Sequence, residues 1–261
     1  MSLTFTGSDT DVVNYGTAAS IDDWIVFTSL AWVFPTASIT ANTGSFFTKT
    51  PGNALTGKSF FTGVSVANPN RLRCQIDRAT ADAEASSSNN TLVTSAWNFV
   101  GVTYGETNGP KLFKGSLTAT VVETGYAVGP TIGSGATGTD DPADLVVGNR
   151  NPLNVVGSFS FPGAIACFAY INKELTLQQI ITCQFDFRNC IQADGTCKLL
   201  SYLGDNGTGT QPDYSGNGNN GTVTGAIQSN NVPLRPKWGY DSSAVVSTRI
   251  KRMLASLGVG K

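Results

Sequence analysis

The sequence predicts an all-β protein, a two-sheet antiparallel sandwich followed by a C-terminal extension that contains a short helix. Short apolar or alternating stretches recur between turns rich in Gly, Asn and Pro, at a spacing of roughly 8–12 residues that is typical of sandwiches. The 261 residues suit one large β domain. Charged residues make up 13% of the chain, which indicates a weakly charged surface built from polar turns.

The stretch 97–115 is the strongest structural signal. In its first half, Trp97 and Phe99 lie on one side, and Val102 and Tyr104 lie on the other. Apolar groups on both sides favour a strand in the middle of a sandwich. A turn of Gly, Asn and Pro follows, and the chain then returns as a second strand, so the stretch predicts a hairpin.

Several other segments predict strands. Residues 25–34 form a nearly continuous apolar run that ends at Pro35, which favours a buried strand. Further strands are predicted within residues 3–15, 46–49, 59–66, 72–76, 118–126 and 199–203. The polar stretch 79–92 is interpreted as a connector, and residues 129–144 as a Gly-rich loop.

The hairpin also carries a family resemblance. Trp-Asn-Phe-Val-Gly-Val-Thr-Tyr, followed by Leu-Phe-Lys-Gly, resembles the central hairpin of laminin-G-like, concanavalin A-like jelly rolls, a family that includes pentraxins and legume lectins. Residues 29–33, 145–150 and 161–166 resemble further strands of that family, and residues 175–180 resemble its short helical turn. The resemblance implies a jelly-roll sandwich. Its motifs are short and aromatic, so they specify the fold far better than the function.

We divide the chain into three parts: a jelly roll at 1–185, an additional strand and turn segment at 186–234 that completes or flanks it, and a basic extension at 235–261. Within the middle part, residues 212–223 predict a turn followed by a strand. In many family members such a segment precedes the first strand, whereas here it follows the last. We expect this strand to pair beside the N-terminal strand; the alternative is pairing elsewhere.

Composition excludes several kinds of chemistry. The sequence has no histidine, so it lacks His-activated nucleophiles, His-containing zinc sites and imidazole switches. Retaining glycosidases of this fold need two acids about 5–5.5 Å apart, which a Glu-x-Asp-x-Glu strand would supply. The four glutamates are isolated: Glu84, Glu106, Glu123 and Glu174. We therefore expect a protein that is not an enzyme.

Five cysteines do not make a complete disulfide framework. Cys183, Cys190 and Cys197 are spaced seven apart, and Cys74 and Cys167 sit in apolar runs. Reduced or buried thiols are the favoured interpretation; one disulfide or a metal site are the alternatives. No signal peptide or transmembrane run is apparent, and the net charge is −1. We expect synthesis in a cytosol and neither membrane nor nucleic-acid binding.

The C-terminal extension differs in charge from the rest. Residues 235–261 hold six basic residues and one acidic residue, a net charge of +5, against −6 for the other 234 residues. Residues 242–257 predict a helix with one apolar and one basic face. The predicted docking residues are Arg235, Lys237, Val246, Arg249, Ile250, Lys251, Arg252, Met253, Leu254 and Leu257. Packing on its own sandwich and anchoring to a partner subunit both remain open; membrane binding is a weaker alternative.

Two kinds of ligand site are candidates. Calcium prefers several oxygen ligands, and the first candidate set, in a region where family members often hold calcium, is Asp140, Asp141, Asp144 and Asn149. A second set is Asp213, Asn217 and Asn219, although turns require the same residue types. The aromatic candidates for sugar binding are Tyr104, Tyr126, Trp238 and Tyr240. The other tryptophans fit the core better.

These features support one function above two others. The favoured hypothesis is a structural protein of a virus particle, a phage capsid decoration or other exterior component, that contacts the major capsid protein or neighbouring copies through its extension and forms an oligomer or part of a larger assembly. The alternative is a carbohydrate-binding or adhesion module, which is compatible with the first. An enzyme is the third and is disfavoured by the missing histidine and paired acids.

Overall fold

A computed structural model describes residues 1–8, 10–40, 44–50, 57–63, 67–140, 142–150, 159–191 and 194–231. Within these ranges the protein is a sandwich of two antiparallel sheets with one α-helix, α1 (Leu177–Phe185), and 3-10 helices at Ala19–Ile21 and Phe187–Cys190. The predicted fold class is therefore confirmed. The predicted docking residues from Arg235 to Leu257 lie outside the described residues, as do Asp141, Trp238 and Tyr240.

The strands follow the predicted order along the chain. The first eight are β1 (Ser2–Phe5), β2 (Val12–Asn14), β3 (Val26–Pro35), β4 (Ser45–Lys49), β5 (Lys58–Thr62), β6 (Leu72–Ile76), β7 (Ala83–Ser87) and β8 (Asn98–Gly105). The next eight are β9 (Gly109–Ser116), β10 (Val122–Glu123), β11 (Tyr126–Thr131), β12 (Val146–Val147), β13 (Gly163–Ile171), β14 (Cys197–Tyr202), β15 (Thr222–Thr224) and β16 (Ile227–Ser229).

The predicted hairpin forms the middle of the first sheet. Its order is β10-β9-β8-β3-β13-β1-β16, and β14 pairs with β13 beside β1. Gly105 pairs with Gly109 at the hairpin turn, and Gly109 adopts a φ of 66°, which glycine reaches without a Cβ penalty. The second sheet has the order β11-β7-β6-β5-β4-β12-β2-β15.

The first sheet is covered on both faces, as its apolar pattern predicts. Its inner face contributes Phe27, Val100 and Tyr104 to the core between the sheets. Its outer face forms a second apolar cluster, in which Trp32 and Phe99 pack with residues of α1 and of the 3-10 helix at Phe187–Cys190. The hairpin is apolar on both sides because one face packs against the second sheet and the other face lies beneath α1.

A capping box fixes the start of α1. Thr176 accepts a hydrogen bond from the Gln179 amide, and the Gln179 side chain accepts one from the Thr176 amide. The helix buries Ile180, Cys183 and Gln184. The Gln184 side chain accepts from the Val121 amide at 2.7 Å and donates to carbonyl oxygens of the loop after β9. This side chain fixes the C-terminal end of α1 to the edge of the first sheet.

The structure corrects two predicted segments and resolves an open alternative. Residues 118–126, predicted as one strand, form the two-residue β10 and the first residue of β11, which continues to Thr131 in the predicted Gly-rich loop. The stretch 79–92, interpreted as a connector, contains β7, whose Ala83 and Ala85 face the core. Alanine is small and weakly apolar, so its alternation with polar residues gave only a weak strand signal. The strand after the 212–223 turn, β15, pairs with β2 near the N-terminus, as expected. The next strand, β16, pairs with β1, so the segment adds a strand to each sheet.

Candidate functional site

The first candidate calcium region contains buried lysines. Lys49 and Lys58, together with Asp140, are fully buried at the edge of the core. Asp140 forms an ion pair with Lys58 and lies 3.5 Å from the Lys49 ammonium group, which also pairs with Asp22. Asp140 further accepts a hydrogen bond from the Asp23 amide at 2.8 Å. Two ammonium groups therefore neutralise two carboxylates without any metal ion.

The three described members of the first calcium set, Asp140, Asp144 and Asn149, have different hydrogen-bond partners. The Asp144 carboxylate accepts a hydrogen bond from the Asn14 side chain at 2.7 Å, and the Asn149 side chain accepts one from the Arg150 amide at 2.7 Å. Within the described ranges, no group of three or more Asp, Glu, Cys or His side chains is placed to hold a metal. Calcium at this set stays a prediction, and an ion at Asp140 would have to displace two ammonium groups.

Two of the predicted sugar-binding residues are described, and they differ in exposure. Tyr104 is fully buried with its ring against Phe27, so it offers no face to a ligand, and its hydroxyl accepts a hydrogen bond from Arg78. Tyr126 is partly buried and donates its hydroxyl hydrogen to Glu123. Burial raises the pKa of Tyr126, and the carboxylate of Glu123 raises it further. Tyr104 is therefore corrected to a core residue.

The second candidate calcium set instead organises a turn. The Asp213 carboxylate accepts hydrogen bonds from three backbone amides, those of Leu200, Ser215 and Asn219. The Asn219 side chain donates to the Lys198 carbonyl at 2.7 Å. The Asp-x-Ser-Gly-Asn-Gly segment is thus fixed to β14 by side chains that take the place of backbone pairing.

A neighbouring loop is fixed in the same way by Gln211. This fully buried side chain accepts from the Gly204 amide at 2.6 Å and donates to the carbonyls of Gly207 and Gly209. The loops at 204–211 and 212–221 therefore form a preorganised surface at the end of β14.

Sequence reasoning missed the aromatic residue that this surface presents. Tyr214 is 45% exposed, and its ring lies 5.2 Å from that of Tyr202, which in turn contacts Phe187 in the outer cluster. The Tyr214 hydroxyl donates to the Asp205 carboxylate at 3.4 Å. An exposed ring supported from behind, with a carboxylate at its edge, can stack on a sugar and accept hydrogen bonds from its hydroxyl groups.

The structure also brings together two acids that the search for paired acids along one strand missed. Asp77 and Asp82 lie at the two ends of the turn that joins β6 to β7, and their carboxyl groups interact. Burial and the charge of Asp82 raise the pKa of Asp77. The Gln75 side chain donates a hydrogen bond to Asp82 at 2.7 Å.

The cysteines are free thiols, as favoured. Cys183 and Cys190 lie in contact within the outer cluster, and burial raises the pKa of the Cys190 thiol well above its ordinary value. The same cause raises the pKa of Cys197 to about 12. Thiols with raised pKa values are poor nucleophiles and poor metal ligands.

One side of α1 exposes apolar residues. Leu177, Ile181 and Phe185 follow at intervals of four, which places them along one side of the helix. Leu177 is 43% and Phe185 is 69% exposed. We refer to these three residues as the α1 stripe. Among the described helices, none combines the length and apolar character needed to cross a bilayer.

Comparison with known proteins identifies the family. The family model for the concanavalin A-like lectin/glucanase superfamily of laminin-G type matches residues 9–181. The chain therefore belongs to this superfamily, as its hairpin motifs suggested. No curated protein matches the sequence.

Solved structures share the fold at low sequence identity. The chain is similar to a proposed carbohydrate-binding protein from Bacteroides ovatus, with 15% identity and a TM-score of 0.56, over 87% of this chain and 58% of that one. It thus spans little more than half of that protein. It is also similar to a heptameric pentraxin from Limulus polyphemus, with 13% identity and a TM-score of 0.40 over 70% of this chain and 80% of that one. Tailspike protein 2 of an Escherichia coli O157:H7 bacteriophage has 11% identity and a TM-score of 0.43 over 70% of this chain and 27% of that one.

Proposed function

We propose that the protein is a non-enzymatic structural component of a virus particle, a phage capsid decoration or other exterior protein anchored through its C-terminal extension. The observation that carries this proposal is the α1 stripe, whose end residues Leu177 and Phe185 are exposed while Ile181 between them packs partly against the outer cluster. The same domain is followed by a basic extension of amphipathic pattern. An exposed phenylalanine in line with two other apolar side chains is typical of a surface that another protein covers.

The weak surface charge and the missing catalytic groups support the same proposal. A particle shell is assembled from surfaces that pack side by side, and the 13% content of charged residues suits such packing. The chain has no histidine, and its four glutamates are isolated along the sequence. These features favour assembly or binding over catalysis.

The test of this function is the composition of particles. Virions purified from a culture that produces the protein are analysed by quantitative mass spectrometry, with the intact gene or with a stop codon after Leu234. We expect the intact protein at a fixed ratio to the major shell protein and the truncated protein in the unbound fraction. Absence of the intact protein from particles would refute the virion role.

Glycan binding is a second candidate function, compatible with the first. The Tyr214 ring with the Asp205 carboxylate at its edge favours it, because the loops around them are fixed by Asp213 and Gln211 before any ligand arrives. A preformed site avoids the entropy cost of ordering loops on binding. The ligand class would be a surface polysaccharide with neighbouring free hydroxyl groups.

We expect Tyr214→Ala to weaken binding to an array of immobilised bacterial polysaccharides about tenfold. Truncation removes the stacking face, and the loss of about 1.5 kcal/mol that an aromatic contact contributes corresponds to about tenfold in affinity. Tyr126→Ala tests the predicted sugar residue on the opposite sheet. Val128→Ala, at an exposed residue of the same strand, is the control and should leave binding unchanged. Equal binding by the Tyr214 variant would exclude this surface as the sugar site.

Glycan binding should also weaken at acidic pH. Burial raises the pKa of Asp205 above its ordinary value, partly offset by the N-terminal ammonium group. As the pH falls through this raised pKa, protonation removes the anionic acceptor and affinity falls. The folded state holds this proton more tightly than the unfolded state, so the contribution of Asp205 to stability is present at low pH and lost as the pH rises. Protonation of Asp205 therefore does not unfold the protein, so weaker glycan binding at low pH reports the loss of the anionic acceptor. Asp205→Asn should remove this pH dependence from a titration of glycan affinity.

A further inference from the structure

We propose that the α1 stripe binds the C-terminal extension of a neighbouring copy of this chain. The proposal rests on the assembly function above and names the surface that receives the extension. The ligand is a second copy of the same protein, through residues 242–257.

The stripe has the features of a helix-binding surface. Leu177, Ile181 and Phe185 form a continuous apolar line beside the buried residues Ile180 and Cys183. The capping box at the start of α1 and the packing of its inner side hold this line rigid. A rigid line of apolar side chains at intervals of four matches the spacing of side chains on a second amphipathic helix.

The last described residue shows where the extension begins. Asn231 accepts a hydrogen bond from the Trp97 indole at 3.3 Å, and its carbonyl accepts one from the Ser2 hydroxyl at 2.6 Å. Trp97 belongs to the outer cluster of the first sheet, which α1 covers. The last described residue therefore lies on the helix-covered side of the sandwich.

Asn231, four residues before the extension, lies at the same end of the sheet as Phe185. The preceding residue, Gln184, donates a hydrogen bond to the Ser116 carbonyl at 2.9 Å. Ser116 pairs with Asn98, which directly follows Trp97. The exposed ring of Phe185 and the origin of the extension thus belong to one end of the domain, where two copies can exchange extensions over a short distance.

The extension matches the stripe in pattern and the body in charge. Val246, Ile250, Met253 and Leu257 recur at intervals of three and four, so in a helix they share one face. The +5 charge of residues 235–261 complements the −6 charge of the other 234 residues. Apolar contact would provide the affinity and the opposite charges would speed association.

The sequence between body and extension favours a neighbour over the same chain. Pro233 and Pro236 lie two and five residues after Asn231. Proline fixes its own φ and restricts the residue before it to extended conformations, which disfavours an immediate return to α1. If the extension bound the α1 stripe of its own chain, neither the stripe nor the extension would be available to join two copies.

Two complementary variants test the proposal by light scattering. Phe185→Glu disables the stripe and keeps the extension, whereas Ile250→Glu disables the extension and keeps the stripe. We expect the intact chain to assemble and each variant alone to be a monomer. An equimolar mixture should form a heterodimer of twice the monomer mass, because one intact extension can bind one intact stripe. Val128→Glu, a charge placed on an exposed residue of the second sheet, is the control and should assemble normally.

The other outcomes overturn the proposal. If the intact chain is a monomer, or if either variant alone assembles like the intact chain, the stripe is not the receptor. If Phe185→Glu leaves the mass unchanged but makes the chain more sensitive to protease after Asn231, the extension packs on its own domain instead. Equal midpoints of urea unfolding for each variant and for the chain ending at Leu234 would show that the variants are correctly folded. If the mixed variants form the heterodimer but the protein is absent from purified virions, the virion role is refuted. The proposed contact between the α1 stripe and the extension would then still hold.

Discussion

Asp140→Ala should destabilise the protein by about 3–5 kcal/mol, because it leaves the buried Lys58 ammonium group without its ion-pair partner. Lys49 would keep its contacts with Asp22 and with the Ala143 carbonyl, so the uncompensated charge falls mainly on Lys58. The free energy of unfolding in urea at pH 7 measures this loss. A change below about 1 kcal/mol, the range of surface ion pairs, would mean that the cluster is hydrated rather than buried.

A surface pair gives the matched control for this substitution. Glu174 lies 3.2 Å from Lys111, and both side chains are partly exposed. Glu174→Ala should therefore cost only about 0–1 kcal/mol. The same samples test calcium, because a ligand that binds only the folded state raises the melting temperature. We expect no rise for the intact chain in millimolar calcium, since Lys49 and Lys58 already neutralise Asp140; a clear rise would support the predicted calcium site.

Phe47→Ala should cost about 3–5 kcal/mol, the range for removing a large aromatic side chain from a core. Phe47 is fully buried, and its ring lies 5.4 Å from Tyr170 and 5.9 Å from Phe27, so it joins the two sheets. Urea unfolding should show a lower midpoint with an unchanged slope.

The control is the same truncation at Phe185, which is 69% exposed. Measured in the chain ending at Leu234, where no extension can cover the stripe, Phe185→Ala should change stability by no more than about 0.5 kcal/mol. Similar losses for Phe47 and Phe185 would contradict the assignment of Phe47 to the core between the sheets.

The pattern of apolar residues predicted most of the fold, because the positions of a strand that are buried on one or both faces carry apolar side chains. The run at 25–34 and the hairpin at 97–115 carry large side chains at each buried position, and both became central strands. An exception, β7, buries Ala83 and Ala85 on either side of Glu84. Small side chains bury little area, so the pattern that reports burial was weak there.

The candidate surfaces depend on contacts that local pattern does not report. Lys49 and Lys58 stand in phase with the buried Phe47 and Phe60, and this spacing indicates that they point inward. Their pairing with Asp140, 82 residues beyond Lys58, arises only in the folded chain. The contact between the tilted rings of Tyr214 and Tyr202 likewise depends on the path of the turn after β14.

The α1 stripe could have been found from sequence, since its spacing of four residues is regular. What the sequence does not show is which side of a short helix faces the sheet. That choice is made by Ile180, Cys183 and Gln184, whose burial turns Phe185 outward.

The most direct test of this account is the mass in solution of the intact chain and of the chain ending at Leu234, by light scattering over a range of concentrations. We propose that the extension joins copies of the protein. The intact chain should therefore form a defined assembly, and the shortened chain should be a folded monomer. Two well-folded monomers, or two equal assemblies, would contradict it.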